Sequence, residues 1–323
     1  MGTTKKIGII TSGGDSPGMN SAIKSIVNYS NMNNINCLGF KYGYDGLINN
    51  NYLELSNNKV KNIIGFGGTI LGSGRSIDFL TKKGRKQAYK NYLYNKLDGL
   101  IIIGGNGTFH GVNKLNKEFN IPIIGIPGTI DNDIYGTDLT LGYDTALNTI
   151  ITTVDKIKDT ANSNNRIFIV EVMGKKTGYL ALNSGIALDS LYIIFNRKYN
   201  LNKLVSLLKK ERVLSNIIIV AENTKIGNAS KKLYKFLKNS ITNYEIRRTI
   251  LGHIQRGGSP TCIDRILGIR LGLEAIKKII NYDNNFVIGI KNNKIIHITF
   301  EESVKKKKID INSLYIYNNF YNK

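Results

Sequence analysis

Short apolar runs recur along the chain, spaced so that one helix fits between neighbours. Residues 6–11, 37–40, 99–103 and 121–126 are rich in Ile, Leu, Phe and Gly, and each gives way to a turn-rich stretch. Short runs without strict alternation are what strands buried on both faces need. Helical spacing separates them: Ala22, Ile23, Ile26 and Val27 share one face, and Val112 with Leu115 begins another. A longer amphipathic stretch covers 143–160, with Ala146, Ile150, Val154 and Ile157 in phase. Beyond it, 167–172, 191–195, 217–221 and 246–251 read as strands and 267–280 as a helix. Residues 286–290 and 295–299 read as a strand pair around Asn292 and Asn293. The polar tail beyond Ser303 predicts loose packing. Repeated strand–helix alternation predicts parallel sheets covered on both faces, in two α/β units, the second beginning near Tyr143.

Composition narrows the class. The 323 residues, 41% of them hydrophobic, can fill one large or two medium domains. Two cysteines, Cys37 and Cys262, offer neither a disulfide framework nor metal spacing, which points to a reducing, cytoplasmic setting. No apolar run approaches the ~20 residues of a membrane-spanning helix. The first residues lack the apolar core of a signal peptide, and Lys6 breaks a myristoylation pattern after Gly2. The formal net charge is +22. Lys and Asn are spread over the whole chain, however, and the one basic run, 305–308, carries no aromatic interleaving. Nucleic-acid binding needs charge clustered on one face, so the excess reads as compositional drift. A cationic surface still attracts phosphorylated metabolites at low salt.

Candidate chemistry lies in the turns. Residues 127–133 read Pro-Gly-Thr-Ile-Asp-Asn-Asp and follow a buried strand, at the edge where open α/β sheets bind ligands. Asp131 and Asp133, two residues apart, can divide proton transfer and cation holding between them. An ordinary capped loop is the bland alternative. Residues 12–20, Ser-Gly-Gly-Asp-Ser-Pro-Gly-Met-Asn, place a glycine turn at a helix start, a phosphate cradle that is neither a Walker A loop nor a G-x-G-x-x-G fingerprint. Arg75 ends a second glycine-rich loop, and Gly104, Gly105, Asn106, Gly107 and Thr108 form a third turn. Repetition of such turns favours a nucleotide triphosphate site.

Taken together, residues 12–20, 127–133 and 251–260 resemble the bacterial-type ATP-dependent 6-phosphofructokinases, and the likeness runs from Lys6 to about Ile290. The resemblance implies two doubly wound, Rossmann-like α/β domains: residues 1–142 plus about 261–308 binding ATP, and 143–260 plus about 309–323 binding fructose 6-phosphate. It implies transfer of the γ-phosphoryl of MgATP to the sugar 1-hydroxyl, a glycolytic step, in a cytoplasmic homotetramer. Asp131 is then the base, Thr129 orients the sugar, and Asp133 with Asn106 serves Mg²⁺. Gly14, Arg75 and Lys175 meet the transferring phosphoryl. Tyr44, Ser76, Gly105, Gly107 and Thr108 join Gly14 and Arg75 around ATP. Arg166, Arg247, His253 and Arg256 clamp the 6-phosphate, with Arg166 and Arg247 reaching a neighbouring subunit's site. Met173, Gly174 and Glu222 meet the sugar. Because Lys greatly outnumbers Arg in this chain, Arg at 75, 166, 247 and 256 argues that a planar fork is needed there.

Several positions depart from the family pattern. Asn106 stands for an Asp and Lys175 for an Arg, which predicts catalysis with a higher Mg²⁺ requirement. Pyrophosphate-using relatives carry Asp at the position of Gly107 and Lys at that of Gly128, so ATP is the expected donor. At the family's effector site Lys24 and Lys158 keep their charge, but Asn28, Asn57, Glu211, Val213 and Leu191 do not match, which predicts weakened or lost allosteric control. Two alternatives stay open: a catalytically silent subunit that binds nucleotide and sugar phosphate, and a kinase for another sugar phosphate.

Overall fold

The computed structural model describes residues 5–174, 177–195, 201–209, 216–222 and 228–309. Lys175, Glu211 and Val213 lie outside these residues, as does the chain from 310 onward. The strands are β1 (Lys6–Ser12), β2 (Asn36–Phe40), β3 (Tyr52–Leu55), β4 (Gly99–Gly104), β5 (Ile123–Pro127), β6 (Arg166–Val172), β7 (Tyr192–Ile194), β8 (Ile217–Ala221), β9 (Glu245–Ile250), β10 (Phe286–Lys291) and β11 (Lys294–Thr299). Two compact units divide the chain: Met1–Thr145 with Arg256–Lys307, and Ala146–Gln255 with the chain from Lys308.

The first unit carries a sheet in the order β11-β10-β5-β4-β1-β2-β3. Its five inner strands run parallel, and β3 and β11 are antiparallel edges. The chain builds outward from β1 in one direction through β2, then in the other through β4 and β5, which makes the gap between β1 and β4 a topological switch point. Burial on both faces explains the continuous apolar runs. Ile9, Ile101 and Ile103 pack into one core with the helices Met19–Met32 and Cys262–Ile280. Their neighbours Ile10, Leu100 and Ile102 pack into a second with the helices Lys82–Tyr94 and Asn106–Phe119. The second unit has four parallel strands in the order β7-β8-β6-β9, with Ile167, Ile169, Ile218 and Val220 in its core.

Three expectations are corrected. β3 carries no apolar run to reveal it, because it is a short edge strand with Glu54 exposed. The helix expected over 267–280 begins at Cys262, a turn before its apolar pattern, since the Thr261 hydroxyl caps it by accepting from the Asp264 N–H. In the described part of the tail, residues 304–309, Lys307 turns inward to Asn132 and the Lys308 carbonyl accepts from the Tyr179 hydroxyl, so this stretch is less loose than its polarity implies. Among the described residues no helix is long and apolar enough to cross a membrane.

The helices Met19–Met32 and Cys262–Ile280 touch backbone to backbone. A Cβ on Gly272 would overlap Ser25 Oγ and lie 2.6 Å from the Ala22 carbonyl oxygen. Gly272→Ala is therefore expected to destabilise the first unit by about 1–3 kcal/mol, read as a lower urea midpoint. Asp264 locks the same corner. Its carboxylate accepts from the Gly142 and Thr145 N–H groups, both at 2.8 Å, and from the Thr145 hydroxyl at 2.5 Å. Burial nevertheless pushes its carboxyl up to about 6, against the pull of these donors. The folded chain then holds this proton more tightly than the unfolded chain, so the Asp264 contribution falls as pH rises from about 4 to about 6. Measured against Asp264→Asn, which cannot titrate, the wild-type unfolding free energy should drop by on the order of 2–3 kcal/mol across that window. A constant difference between the two proteins would refute the assignment.

Candidate functional site

In the first unit the ends of β1, β4 and β5 lie side by side, with Ser12 opposite Gly104 and Gly104 opposite Pro127. At ~4.8 Å between strands, the three turns that follow open within about 10 Å of one another. Hydrogen bonds fix them together. The Gly128 N–H donates to the Gly104 carbonyl at 2.9 Å, and the Thr108 hydroxyl to the Ser12 carbonyl at 3.1 Å. The Gly13 N–H donates to the Gly74 carbonyl at 2.9 Å, which draws in the loop carrying Arg75. Arg75 is exposed and forms no ion pair among the described residues. Asn106, Gly107 and Thr108 form the first turn of the helix Asn106–Phe119, whose N-cap, Gly105, supplies no side-chain bond. Its leading N–H groups and helix dipole suit an anion.

The acidic turn is tightly held. Asp131 is 2% exposed, and its N–H donates to the Thr129 hydroxyl at 3.2 Å. The Thr129 carbonyl accepts from the Thr140 hydroxyl at 2.5 Å, and the Thr129 side chain faces Gly105. Asn132, between the two acids, adopts a left-handed φ of 48° and donates from Nδ2 to the Asp138 carbonyl at 2.9 Å. Lys307 Nζ reaches Asn132 Oδ1 at 3.2 Å and the Asp138 carbonyl at 3.4 Å. Burial pushes its ammonium down to about 8, while Asp138 and Asp133 pull it back up.

Two residues sit differently from expectation. Tyr44, expected to face a nucleotide, is buried: its ring stacks on Phe79 with centroids 3.6 Å apart, and its hydroxyl donates to the Thr108 carbonyl at 2.8 Å. It props up the first turn of the Asn106–Phe119 helix from beneath. Arg256 falls in the first unit, not in the second, where a boundary near 260 would have put it. Its guanidinium fills the space over Gly14 so closely that a Cβ there would overlap Nη1. Ser76 turns its hydroxyl to the Phe79 N–H at 3.1 Å.

In the second unit Met173, Gly174, Glu222 and His253 gather at the carboxyl ends of the strands. The Glu222 N–H donates to the Val172 carbonyl at 2.7 Å and the Leu251 N–H to the Glu171 carbonyl at 3.0 Å. Gln255, which no sequence pattern singled out, is fully buried there. Its Oε1 accepts from the Met173 N–H at 3.1 Å, and its Nε2 donates to the Gly252 carbonyl at 2.8 Å. Arg166 and Arg247 are not part of this group. Arg166 opens β6 and Met173 follows its end, seven residues or about 20 Å away along the strand. Both arginines pair with Glu245, Arg166 Nε at 2.6 Å from Oε2, and the Arg166 hydrogen bond leads in holding the Glu245 carboxyl below its usual range.

The matched effector positions are occupied by the protein itself. Lys24 Nζ donates to the Lys61 carbonyl at 2.5 Å, and Lys158 to the Leu188 carbonyl. Asn57 accepts from Asn31, Leu191 is buried, and Asn28 lies in the helix Met19–Met32.

A sequence model described as Phosphofructokinase matches residues 6–279. The chain belongs to the phosphofructokinase family. An ATP-dependent 6-phosphofructokinase 2 of Bacteroides thetaiotaomicron is 46% identical over 312 residues, covering 95% of each chain. An ATP-dependent 6-phosphofructokinase of Cytophaga hutchinsonii is 44% identical over 308 residues, covering 94% of each. Among solved structures, Pichia pastoris phosphofructokinase superimposes with a TM-score of 0.87 at 34% identity, over 94% of this chain and 36% of that one. The present chain thus spans about a third of that protein's length. A pyrophosphate-dependent phosphofructokinase of Marinobacter aquaeolei shares the fold, with a TM-score of 0.83 at 17% identity over 98% of this chain and 91% of that one.

Gly107 and Gly128, the two glycines expected to bear on the choice of phosphoryl donor, have unequal surroundings here. A Cβ on Gly107 meets nothing within 4 Å, whereas one on Gly128 would lie 2.9 Å from Met19 Cε and 3.0 Å from Ile103 Cγ2. Gly107→Asp should therefore fold with wild-type stability, and Gly128→Lys should lose about 1–3 kcal/mol. Thermal unfolding of the two variants checks the contrast.

Proposed function

We propose that the chain transfers the γ-phosphoryl group of MgATP to the 1-hydroxyl of fructose 6-phosphate, giving fructose 1,6-bisphosphate and ADP. The carrying observation is the buried Asp131, fixed by Thr129 beside two glycine-led helix starts at the β1/β4 switch point. Phosphoryl transfer needs positioning, charge neutralisation and a base for the attacking hydroxyl. Asp131 accepts the sugar proton and Thr129 orients the hydroxyl. The N–H groups around Gly14 and at 106–108 receive phosphate oxygens, and Arg75, which forms no ion pair among the described residues, offsets the charge that develops. Losing one such donor costs on the order of 3–4 kcal/mol of transition-state stabilisation. Lys175 adds a point charge near the phosphates, and Ser76 flanks the nucleotide. With Tyr44 and Phe79 both buried, Tyr44 supports the nucleotide site from beneath by holding the first turn of the Asn106–Phe119 helix.

The donor set suits Mg²⁺. Asp133 and Asn106 offer hard oxygen donors in the turns that follow the adjacent strands β5 and β4, and Mg²⁺ commonly arrives on nucleotide phosphates, keeping several waters. When bound, the ion neutralises phosphate charge. Asn106 has no carboxylate to offer it, so Asp133 carries the protein's share.

The first unit would bind ATP and the second the sugar phosphate through Met173, Gly174, Glu222 and His253, and Arg256 would add a cation for phosphate. The distance of Arg166 from Met173, and the pairing of Arg166 and Arg247 on one Glu245, support a homotetramer in which these arginines serve a neighbour's sugar phosphate. The occupied Lys24 and Lys158, and the lost cations around them, support an enzyme without strong effector control. Cys37 and Cys262 are both free thiols, which fits a cytoplasmic setting.

A coupled assay of ADP release with MgATP and fructose 6-phosphate tests the reading. Turnover is expected, and Asp131→Ala should reduce it by at least about 10²-fold. A silent parent protein would favour the regulatory-subunit alternative, and full activity of Asp131→Ala would refute the base. Asn106→Asp should lower the Mg²⁺ concentration for half activity. Gly107→Asp should weaken ATP binding by calorimetry while leaving the fold intact.

A further inference from the structure

Of the four consecutive lysines at 305–308, Lys305, Lys306 and Lys308 are exposed and Lys307 turns inward. Its ammonium meets the side chain of Asn132, the residue between Asp131 and Asp133, and the carbonyl of Asp138. Asn132 donates to that same carbonyl, so the three groups close one node. The far side of the node is rigid: the Asp138 N–H donates to the Ile290 carbonyl at 2.7 Å, and its carboxylate accepts from the Asn292 N–H at 2.8 Å. Asn132 needs such restraint. It is 4% exposed and holds a left-handed φ that costs an L-residue energy unless its surroundings enforce it. The direction of the Asn132 backbone sets where the carboxylates on either side point.

We propose that Lys307 is a positioning residue for phosphoryl transfer: acting through Asn132, its ammonium holds Asp131 and Asp133 in their working directions. It touches neither substrate. The cation also lies close enough to Asp133 and Asp138 to offset part of the negative charge gathered in this turn. Misplacing a base by about 1 Å can cost on the order of 100-fold in rate without weakening substrate binding, so the effect belongs in kcat. The proposal rests on the reading of Asp131 as the base.

The test uses the full chain in the coupled assay and in amide hydrogen exchange. Lys307→Met should lower kcat by about 10- to 100-fold. The KM values for ATP and fructose 6-phosphate should stay within about 2-fold. Lys307→Arg, which keeps the charge and donors, should recover most of the rate. Asn132→Gly permits the same φ without the strap and should lose as much as Lys307→Met. The double variant should lose no more than either alone, because both remove one device. In exchange experiments without substrate, amides at 129–138 should exchange faster in Lys307→Met and Asn132→Gly than in the wild type. An unchanged kcat, losses that multiply, an effect confined to KM, or Lys307→Arg behaving as Lys307→Met would overturn the proposal. Should Lys307→Met fail to fold, Asn132→Gly and Lys307→Arg still decide it. A wild-type chain without turnover would refute the phosphotransfer reading instead, and unchanged exchange at 129–138 would still overturn the strap.

Discussion

Three helix starts that are far apart in sequence meet at Asp264. Its carboxylate takes the free N–H groups at the beginning of the helix Tyr143–Ser163. It stands in the first turn of its own helix, where the dipole favours a negative charge. Its backbone carbonyl presses against Gly18, at the start of the helix Met19–Met32, leaving 3.0 Å for a Cβ. Thr145 and Thr261 complete the knot by bonding to each other. The cradle at 12–20 and the exit from the acidic turn are thereby referred to one buried group. The same group explains where the chain divides: the first three residues of the helix Tyr143–Ser163 are held to the first unit, and the second begins at Ala146.

The sheets were legible because burial on both faces leaves little choice of residue. Inner strands are apolar over most of their length, and β1, β4, β5, β6 and β8 show as runs rich in Ile, Val and Leu. Edge strands escape that demand, which is why β3 was missed. The turns were legible because phosphate chemistry repeats one device, a glycine-led helix start, at several strand ends. What could not be read is any contact between distant segments. Nothing in the sequence distinguishes Lys307 from the three lysines around it, since the distinction lies in the hairpin of β10 and β11 on which its partner Asp138 rests. Nor does local sequence show that Gln255 faces inward or that Tyr44 lies beneath Phe79. Both depend on a neighbour brought in by the fold.

Composition and architecture interact at the turns. Most non-glycine residues with a left-handed backbone are Asn, including Asn34, Asn120, Asn132, Asn228 and the pair Asn292 and Asn293. Asn tolerates that region better than other L-residues. A chain rich in Asn can therefore place it at such turns with less strain than most other L-residues would bear.

Glu245 has a further consequence for selectivity. A single carboxylate already sits between Arg166 and Arg247, so an arriving anion must outcompete a tethered rival rather than fill empty space. A group with one negative charge and two acceptor oxygens gains little by the exchange. A phosphate monoester, with nearly two charges and three oxygens spread over a wider fork, gains at both guanidinium groups. The resident acid thus acts as a threshold at this arginine pair, one that a doubly charged anion passes more readily than a carboxylate.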